Sequence, residues 1–323
     1  MTKRLGIDLG SDNILIYSSV DGLIVNDKSV VAIDNESKNI IAAGEEAWEM
    51  QGRTPGKIKA IRPIKKSIID DYNLTEGLIT QLLKKSNYTN SLLRPNIFIA
   101  TPSNITKVES KALKELGESL GAKKVILEEK SKLAALGVGM EIEKPVANMI
   151  IDIGLGTTEI AIISLNDIVL STSIKTAGRA FNEDIKKYIK LKHKLLIGDK
   201  TAENIKKTLG CVYNIENNET LEVKGRNLLT GLPNSINITS KEVKEAIEDS
   251  INVIIKNIKT ILENTPPELS ADIVDKGLVV TGGSSLLKGL ADLLEDELRI
   301  PVLISGNPLT SVVDGFKKLF DSN

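Results

Sequence analysis

Ile7-Asp8-Leu9-Gly10-Ser11-Asp12-Asn13 and, further along the chain, Ile151-Asp152-Ile153-Gly154-Leu155-Gly156-Thr157-Thr158 follow one pattern. Each comes after a short apolar run, Leu5 to Ile7 or Met149 to Ile151. Each leads into an alternating run, Ile14-Leu15-Ile16-Tyr17 or Ile160-Ala161-Ile162-Ile163. The parallel continues, with Val20-Asp21-Gly22-Leu23-Ile24-Val25 answering Leu165-Asn166-Asp167-Ile168-Val169-Leu170. Apolar residues at every second position, punctuated by Gly and Asp or Asn, predict strand, tight turn, strand, turn, strand. A meander that occurs twice at this distance marks a duplicated unit rather than a short-period solenoid. Two such units facing each other leave a cleft, with both Asp-Gly turns pointing into it.

The residue types say what these turns can do. Gly10, Gly154 and Gly156 let backbone N–H groups approach an anion closely, and the hydroxyls of Ser11, Thr157 and Thr158 add donors. Asp8 and Asp152 would repel a phosphate but can hold a hydrated Mg2+ that bridges to it, since Mg2+ favours carboxylate, water and phosphate oxygens. A single D-x-G is more often an ordinary β-turn; two in matched contexts favour a metal-nucleotide site. Gly277-Leu278-Val279-Val280-Thr281-Gly282-Gly283-Ser284-Ser285-Leu286 adds a third turn. It reads as a buried strand, a glycine turn and a helix through Leu287, Leu290, Leu293, Leu294 and Leu298, with Ser284 or Ser285 as N-cap. Bare backbone there lets a flat ligand lie beside a helix N-terminus.

With two phosphate hairpins and a late Gly-Gly adenosine turn, the chain resembles the actin, Hsp70 and sugar-kinase superfamily. Within it, the chain resembles MreB, the bacterial actin, over essentially all 323 residues. Gly44-Glu45-Glu46-Ala47, Gly52-Arg53-Thr54-Pro55-Gly56, Ile61-Arg62-Pro63-Ile64-Lys65, Leu195-Leu196-Ile197-Gly198 and Thr201-Ala202-Glu203 fall in that family's order. The resemblance implies an α/β fold of duplicated actin-like (ribonuclease H-like) domains, mixed sheets flanked by helices, with ATP or ADP and Mg2+ in the inter-lobe cleft. Domain I would comprise residues 1–145 and 308–323, with an inserted IB part at about 30–65; domain II would be 146–307, with IIB at about 180–250. Nucleotide contacts are implied for Gly10, Ser11, Asp12, Asn13, Gly154, Leu155, Gly156, Thr157, Thr158, Gly282, Gly283, Ser284 and Ser285. Glu203 and Lys206 match the positions that meet ribose and adenine; by spacing alone they are equally a surface ion pair. Leu92 and Leu93 correspond to a membrane-touching loop. Two leucines packed under a turn are as good a reading, because they bury too little to anchor a protein alone. Polymerisation would multiply that weak contact.

Composition narrows the functional classes. Lys and Arg number 42 against 43 Asp and Glu, so no global field points to nucleic acid. One cysteine, Cys211, excludes an internal disulfide framework and fits a reducing compartment; one histidine, His193, disfavours His-based metal sites and Ser-His-Asp triads. The first strand follows Met1 almost at once, and no apolar run reaches membrane-spanning length. The expectation is therefore a cytoplasmic protein, at most touching the inner membrane face.

Two departures from the family pattern affect the chemistry. Where MreB proteins have a Glu-Glu-Pro-Met run, this chain has Glu129-Lys130-Ser131-Lys132 ahead of Leu133-Ala134-Ala135-Leu136-Gly137. By the resemblance, the second Glu orients the attacking water together with the first Thr of the second hairpin; that Thr is Thr157, and the Glu position is Lys130. A protonated lysine has three donors and no acceptor, so it cannot do this work. Losing one positioning group costs ~10²–10⁴ in rate. The competing possibility is that Lys130 faces solvent and Glu128 or Glu129 serves instead. Second, Leu155 stands where the family has Gly, and its side chain is expected to crowd the phosphate or strain the turn. Further on, Ala177-Gly178-Arg179-Ala180-Phe181-Asn182 puts Arg179 at a usually acidic place, read as a solvated loop whose charge reversal would bear on subunit contacts.

The leading expectation is thus an ATP-binding filament subunit for cell shape or motility with weak hydrolysis, assembling with itself or with paralogous MreB subunits. A small-molecule kinase of the same fold and a nucleotide-locked scaffold are the alternatives. An Hsp70-type chaperone would need a peptide-binding domain that these 323 residues do not contain.

Overall fold

The alternation around Asp8 forms a three-stranded meander: β1 (Arg4–Leu9), β2 (Asn13–Ser18) and β3 (Gly22–Lys28). The computed structural model describes residues 3–88 and 94–322, so Leu92 and Leu93 lie outside the described residues. Next come β4 (Val31–Asp34), β5 (Ile40–Ala43), α1 (Glu45–Met50) and β6 (Ile58–Ile61). A small hairpin, β7 (Ile64–Lys65) and β8 (Ile68–Ile69), precedes α2 (Tyr72–Lys85), β9 (Asn96–Thr101), α3 (Lys107–Ser119), β10 (Lys124–Glu129) and α4 (Lys130–Val138). The second meander is β11 (Asn148–Ile153), β12 (Thr158–Ser164) and β13 (Asp167–Ile174). After it run α5 (Gly178–His193), β14 (Leu195–Leu196), α6 (Asp199–Leu209), β15 (Thr220–Asn227), β16 (Pro233–Thr239) and α7 (Ser240–Glu263). The chain ends with α8 (Pro267–Lys276), β17 (Leu278–Thr281), α9 (Leu290–Leu298), β18 (Val302–Ile304) and α10 (Ser311–Asp321).

The two main sheets share one topology. Their orders are β3-β2-β1-β9-β10 and β13-β12-β11-β17-β18. In each, the meander is antiparallel and the last two strands join in parallel. The sequence duplication is therefore a duplication of fold. β4, β5 and β6 form a separate sheet within the first half, and β14, β15 and β16 another within the second. α7 begins at the Thr239 capping box, in which Thr239 and Glu242 bond each other's backbone, and buries Val243, Ile247, Ile254, Ile258 and Ile261.

Local signals set the helix starts. α3 begins at Lys107, because Thr106 and Glu109 form a capping box there. Pro267 opens α8 at its first turn, a position where a missing N–H costs nothing, while α7 has already ended. Ser284 and Ser285 do not cap a long helix. They sit in a 3-10 turn, Gly283–Leu286, and α9 starts afresh after Gly289, whose φ of 74° breaks the run.

The tail packs between the two sheets. α10 buries Val312, Phe316 and Phe320 with Leu133, Ala134 and Ala135 of α4 and with Ile150, Ala161 and Ile163 of the second sheet. The helices cross backbone to backbone: a Cβ on Gly137 would run into the Ser311 carbonyl, and one on Gly315 into the Leu133 carbonyl. Gly315→Ala is expected to destabilise the protein by ~1–3 kcal/mol through overpacking, read as a lowered Tm in thermal unfolding.

Candidate functional site

Ends of strands from both sheets meet at one cavity of about 510 Å³, within the range of about 300–1,000 Å³ usual for small-ligand sites. Its lining includes Asp8, Gly10, Ser11, Asp12, Asn13, Lys130, Asp152, Gly154, Leu155, Gly156, Glu203, Lys206, Gly282, Gly283 and Ser284. Most of the candidate residues are thus brought together.

The first hairpin is pinned from outside. A Cβ at Gly10 would strike the Asn13 carbonyl, so the β1–β2 turn needs glycine. Arg62 donates to the Ser11 carbonyl at 2.7 Å and pairs with Asp12 at 3.2 Å. Lys28 reaches Asp12 at 2.9 Å and Asn13 Oδ1 at 3.0 Å. Burial opposes the charge on Asp12, but Lys28 and Arg62 outweigh it and hold the carboxyl below the usual range. Asp12 and Asn13 thus serve first to fix the turn.

The second hairpin closes with the Gly154 N–H donating to the Thr157 carbonyl at 3.0 Å. At Gly156 a Cβ would collide with Ser11 Oγ of the facing hairpin, so the two turns touch only because Gly156 is bare. Leu155 has no positive φ and its carbonyl accepts from the Arg179 N–H at 2.7 Å, so the expected strain is absent; its side chain lines the cavity. Three hydroxyls depart from expectation. Thr158 donates to the Thr176 carbonyl at 2.8 Å inside the sheet, and Ser285 to the Gly282 carbonyl at 2.7 Å; neither lines the cavity. Thr157 Oγ1 lies 3.1 Å from Ser67 Oγ.

Ser67 was not evident from the sequence. It sits at the β7–β8 tip, where Lys66 and Ser67 have φ of 54° and 58°, the left-handed pair of a two-residue hairpin turn. Its N–H donates to Ser11 Oγ at 3.0 Å. One residue therefore links both hairpins. A non-glycine pair at positive φ was the available signal only once the hairpin was recognised.

Gly282 has φ of 85°, and a Cβ there would strike the Asp152 carboxylate and the Ile153 carbonyl. Ser284 Oγ donates to the Gly154 carbonyl at 3.0 Å, tying this turn to the second hairpin. On α6, Glu203 and Lys206 are both buried rather than a surface pair. Glu203 pairs with Lys207 at 2.7 Å and Lys206 donates to the Gly178 carbonyl at 3.0 Å. Burial brings the Lys206 ammonium down to about 8, against the pull of Glu203 and Asp12. Arg179 lies in the first turn of α5 rather than in a solvated loop; its Nη2 is buried without a hydrogen-bond partner.

Lys130 is the first residue of α4 and points inward, not to solvent. Its Nζ lies 3.6 Å from Asp8 Oδ1 and 3.4 Å from Asp152 Oδ2; both acids are buried and the lysine side chain is 12% exposed. Burial disfavours the ammonium, but Asp152, Asp8 and Glu159 outweigh it and hold it charged, above the usual lysine range. Asp8 is pushed up by burial and by Asp152, more than Lys130 draws it down. Glu159 stands opposite Asp152 in the β11–β12 register and is another residue sequence reasoning missed. Its Oε1 accepts from Ser173 at 2.6 Å, while Oε2 is buried without a partner. Glu128 and Glu129 do not line the cavity, so neither replaces the missing acid.

This arrangement bears on the expected metal. Asp8 and Asp152 are the pair that would hold a hydrated Mg2+ through water, but Lys130 already lies between them. A divalent ion about 4 Å from that ammonium would meet repulsion on the order of 8 kcal/mol at an effective dielectric of ~20. Among the described residues, no group of three His, Cys, Asp or Glu side chains comes together to hold a metal. The residues present do not fit a hydrated Mg2+ while Lys130 keeps this position.

A duplicated sheet of this topology, with two hairpins and a glycine turn facing one cleft, defines an actin-like protein. The sequence model of the MreB/Mbl protein family matches residues 2–323, and the chain belongs to that family of actin-like cytoskeletal proteins. The chain is 48% identical to the cell shape-determining protein Mbl of Bacillus subtilis (strain 168), over 99% of this chain and 96% of that one. It is 40% identical to the cell shape-determining protein MreB of Escherichia coli (strain K12), over 99% and 94%. Crystal structures of MreB 5 of Spiroplasma citri, bound to AMPPNP or to ADP, match with a TM-score of 0.95 and 36% identity, covering 100% of this chain and 96% or 97% of theirs.

Proposed function

We propose that this chain is an ATP-binding filament subunit of the bacterial actin type, acting in cell shape or motility, whose hydrolysis step is impaired. The observation that carries the reading is the placement of Lys130 between Asp8 and Asp152 at the floor of the nucleotide-sized cavity. Binding is supported by the hairpins, the Gly282-Gly283 turn and the likeness to proteins crystallised with AMPPNP and ADP. Impaired hydrolysis follows from the chemistry of the floor. An attacking water needs an acceptor, and the group offered is an ammonium, which only donates. Thr157, the hydroxyl expected to share that task, is shared with Ser67. ATP is therefore retained as a ligand that closes the two halves, and assembly responds to occupancy more than to turnover.

The same reading makes other copies of this chain, or paralogous subunits, the partners. It puts the filament in the cytoplasm, with the Leu92-Leu93 segment as a weak contact at the inner membrane face. No helix among the described residues is long and apolar enough to cross a membrane. A small-molecule kinase would need an unengaged carboxylate as base. The acids lining the cavity are all paired: Asp12 with Lys28 and Arg62, Glu203 with Lys207, Asp8 and Asp152 with Lys130. Electron microscopy with ATP, with ADP and without nucleotide tests the proposal. Filaments that need nucleotide support it; identical assembly in all three states, or none in any, contradicts it.

Lys206 adds a pH signature. Its ammonium, at about 8 in the free protein, favours an anionic nucleotide only while protonated. Affinity for ADP should be flat below about pH 8 and fall above it, by up to ~10-fold for each unit by which ADP raises the lysine. Lys206→Gln should bind more weakly and without this slope. Stability of the free protein moves the opposite way. Between about 8 and its ordinary value of 10.5, the lysine carries fewer protons folded than unfolded, so raising pH through that window stabilises the fold. Calorimetric titration of ADP across pH, beside thermal unfolding, reads both signs.

A further inference from the structure

We infer that the Lys130 side chain is a built-in cation: it takes the place of the divalent metal, so this chain holds a nucleotide's phosphates without Mg2+. The inference rests on the nucleotide reading of the cleft and names how that site meets its ligand's charge. Nζ lies almost equally far from a carboxylate of each half, 3.6 Å from Asp8 and 3.4 Å from Asp152. Those acids end β1 and β11, the equivalent strands of the two sheets, so the ammonium lies on the seam of the duplication. A lysine at the first position of a helix opposes the positive end of the helix dipole, and here most of its side chain is withdrawn from solvent as well. Neither feature favours an ammonium; the two carboxylates do.

The other cations lining the cavity are differently engaged. Lys28 holds Asp12, Lys207 holds Glu203, and Lys206 donates to a backbone carbonyl. Lys130 alone among these stands between the two acids that would otherwise repel a phosphate. A lysine ammonium is a compact point charge with three donors, so it can serve both carboxylates and still offer a proton to a phosphate oxygen. It delivers one positive charge where a divalent ion delivers two. Because it is covalently attached, however, it is present whatever the metal concentration.

The test is nucleotide binding by the full chain, first stripped of nucleotide. ADP and AMPPNP are titrated calorimetrically in EDTA and in Mg2+. The expected result is that wild-type affinity differs by less than ~3-fold between the two buffers. In Lys130→Met and Lys130→Glu, EDTA should weaken binding by ~10-fold or more, with recovery in Mg2+. A wild-type loss of ~10-fold or more in EDTA overturns the inference, and that comparison needs no variant to fold. So does electron paramagnetic resonance showing one Mn2+ per wild-type chain bound more tightly with ADP present than by ADP alone. Absence of ADP and AMPPNP binding in both buffers is a different result: it overturns the nucleotide reading itself, and this inference with it.

Discussion

Lys130→Glu is expected to raise phosphate release from bound ATP by ~10²-fold, with the gain dependent on added Mg2+. The argument is local. Lys130 Nζ is held between Asp8 and Asp152 and can only donate. A carboxylate at the first position of α4 would reverse that, accepting a hydrogen bond from water at the same place and complementing the helix N-terminus. It would also leave three acids at the floor, whose charge a divalent ion can offset in part and an ammonium no longer does. Thr157 is buried and engaged with Ser67 at 3.1 Å, so the gain is assigned to the carboxylate alone. A coupled phosphate-release assay reads the change; equal turnover in the variant and wild type, with both binding ATP, contradicts the account.

Lys130→Met should destabilise the nucleotide-free protein by ~3–5 kcal/mol, the cost of leaving a buried charge without its partner. Counting Asp8, Asp152 and Lys130 as ionised, the wild-type trio carries one net negative charge, and the variant would carry two in the same buried space. Methionine fits the volume of the lysine stem, so lost packing is a small part of the effect. Adding Asp8→Asn restores a single negative charge, and the double variant should recover most of the lost stability. Urea unfolding of the four proteins of this cycle measures the coupling directly. Additive losses would mean that Lys130 contributes packing alone.

The duplication was readable because its parts are local. Alternating runs after Asp8 and Asp152 predict the meanders, and glycines at 10, 156 and 282 mark points where a Cβ would collide with a neighbouring backbone or side chain. Thr239 and Glu242 announce α7 in the same way. What was not readable depends on contacts between distant segments. Ser67 belongs to the site because the β7–β8 tip reaches both hairpins, and its own sequence neighbourhood carries no phosphate-binding signal. Glu159 acts on Lys130 and Asp152 only because the β11–β12 register sets it opposite Asp152. Thr158 and Ser285 were assigned by residue type, yet each hydroxyl is already used by a nearby carbonyl. The break before α9 escaped periodicity because the leucines keep helical spacing across Gly289. Lys130 was identified by position in the chain; that it bridges both acids required the fold.

The fate of ATP bound by the wild-type chain is the direct measure of the central claim. Protein loaded with ATP in Mg2+ is separated from free nucleotide, and its bound nucleotide is followed chromatographically over hours. The account predicts that ATP stays ATP in the wild type while Lys130→Glu converts it to ADP; conversion at the same rate in both would contradict it.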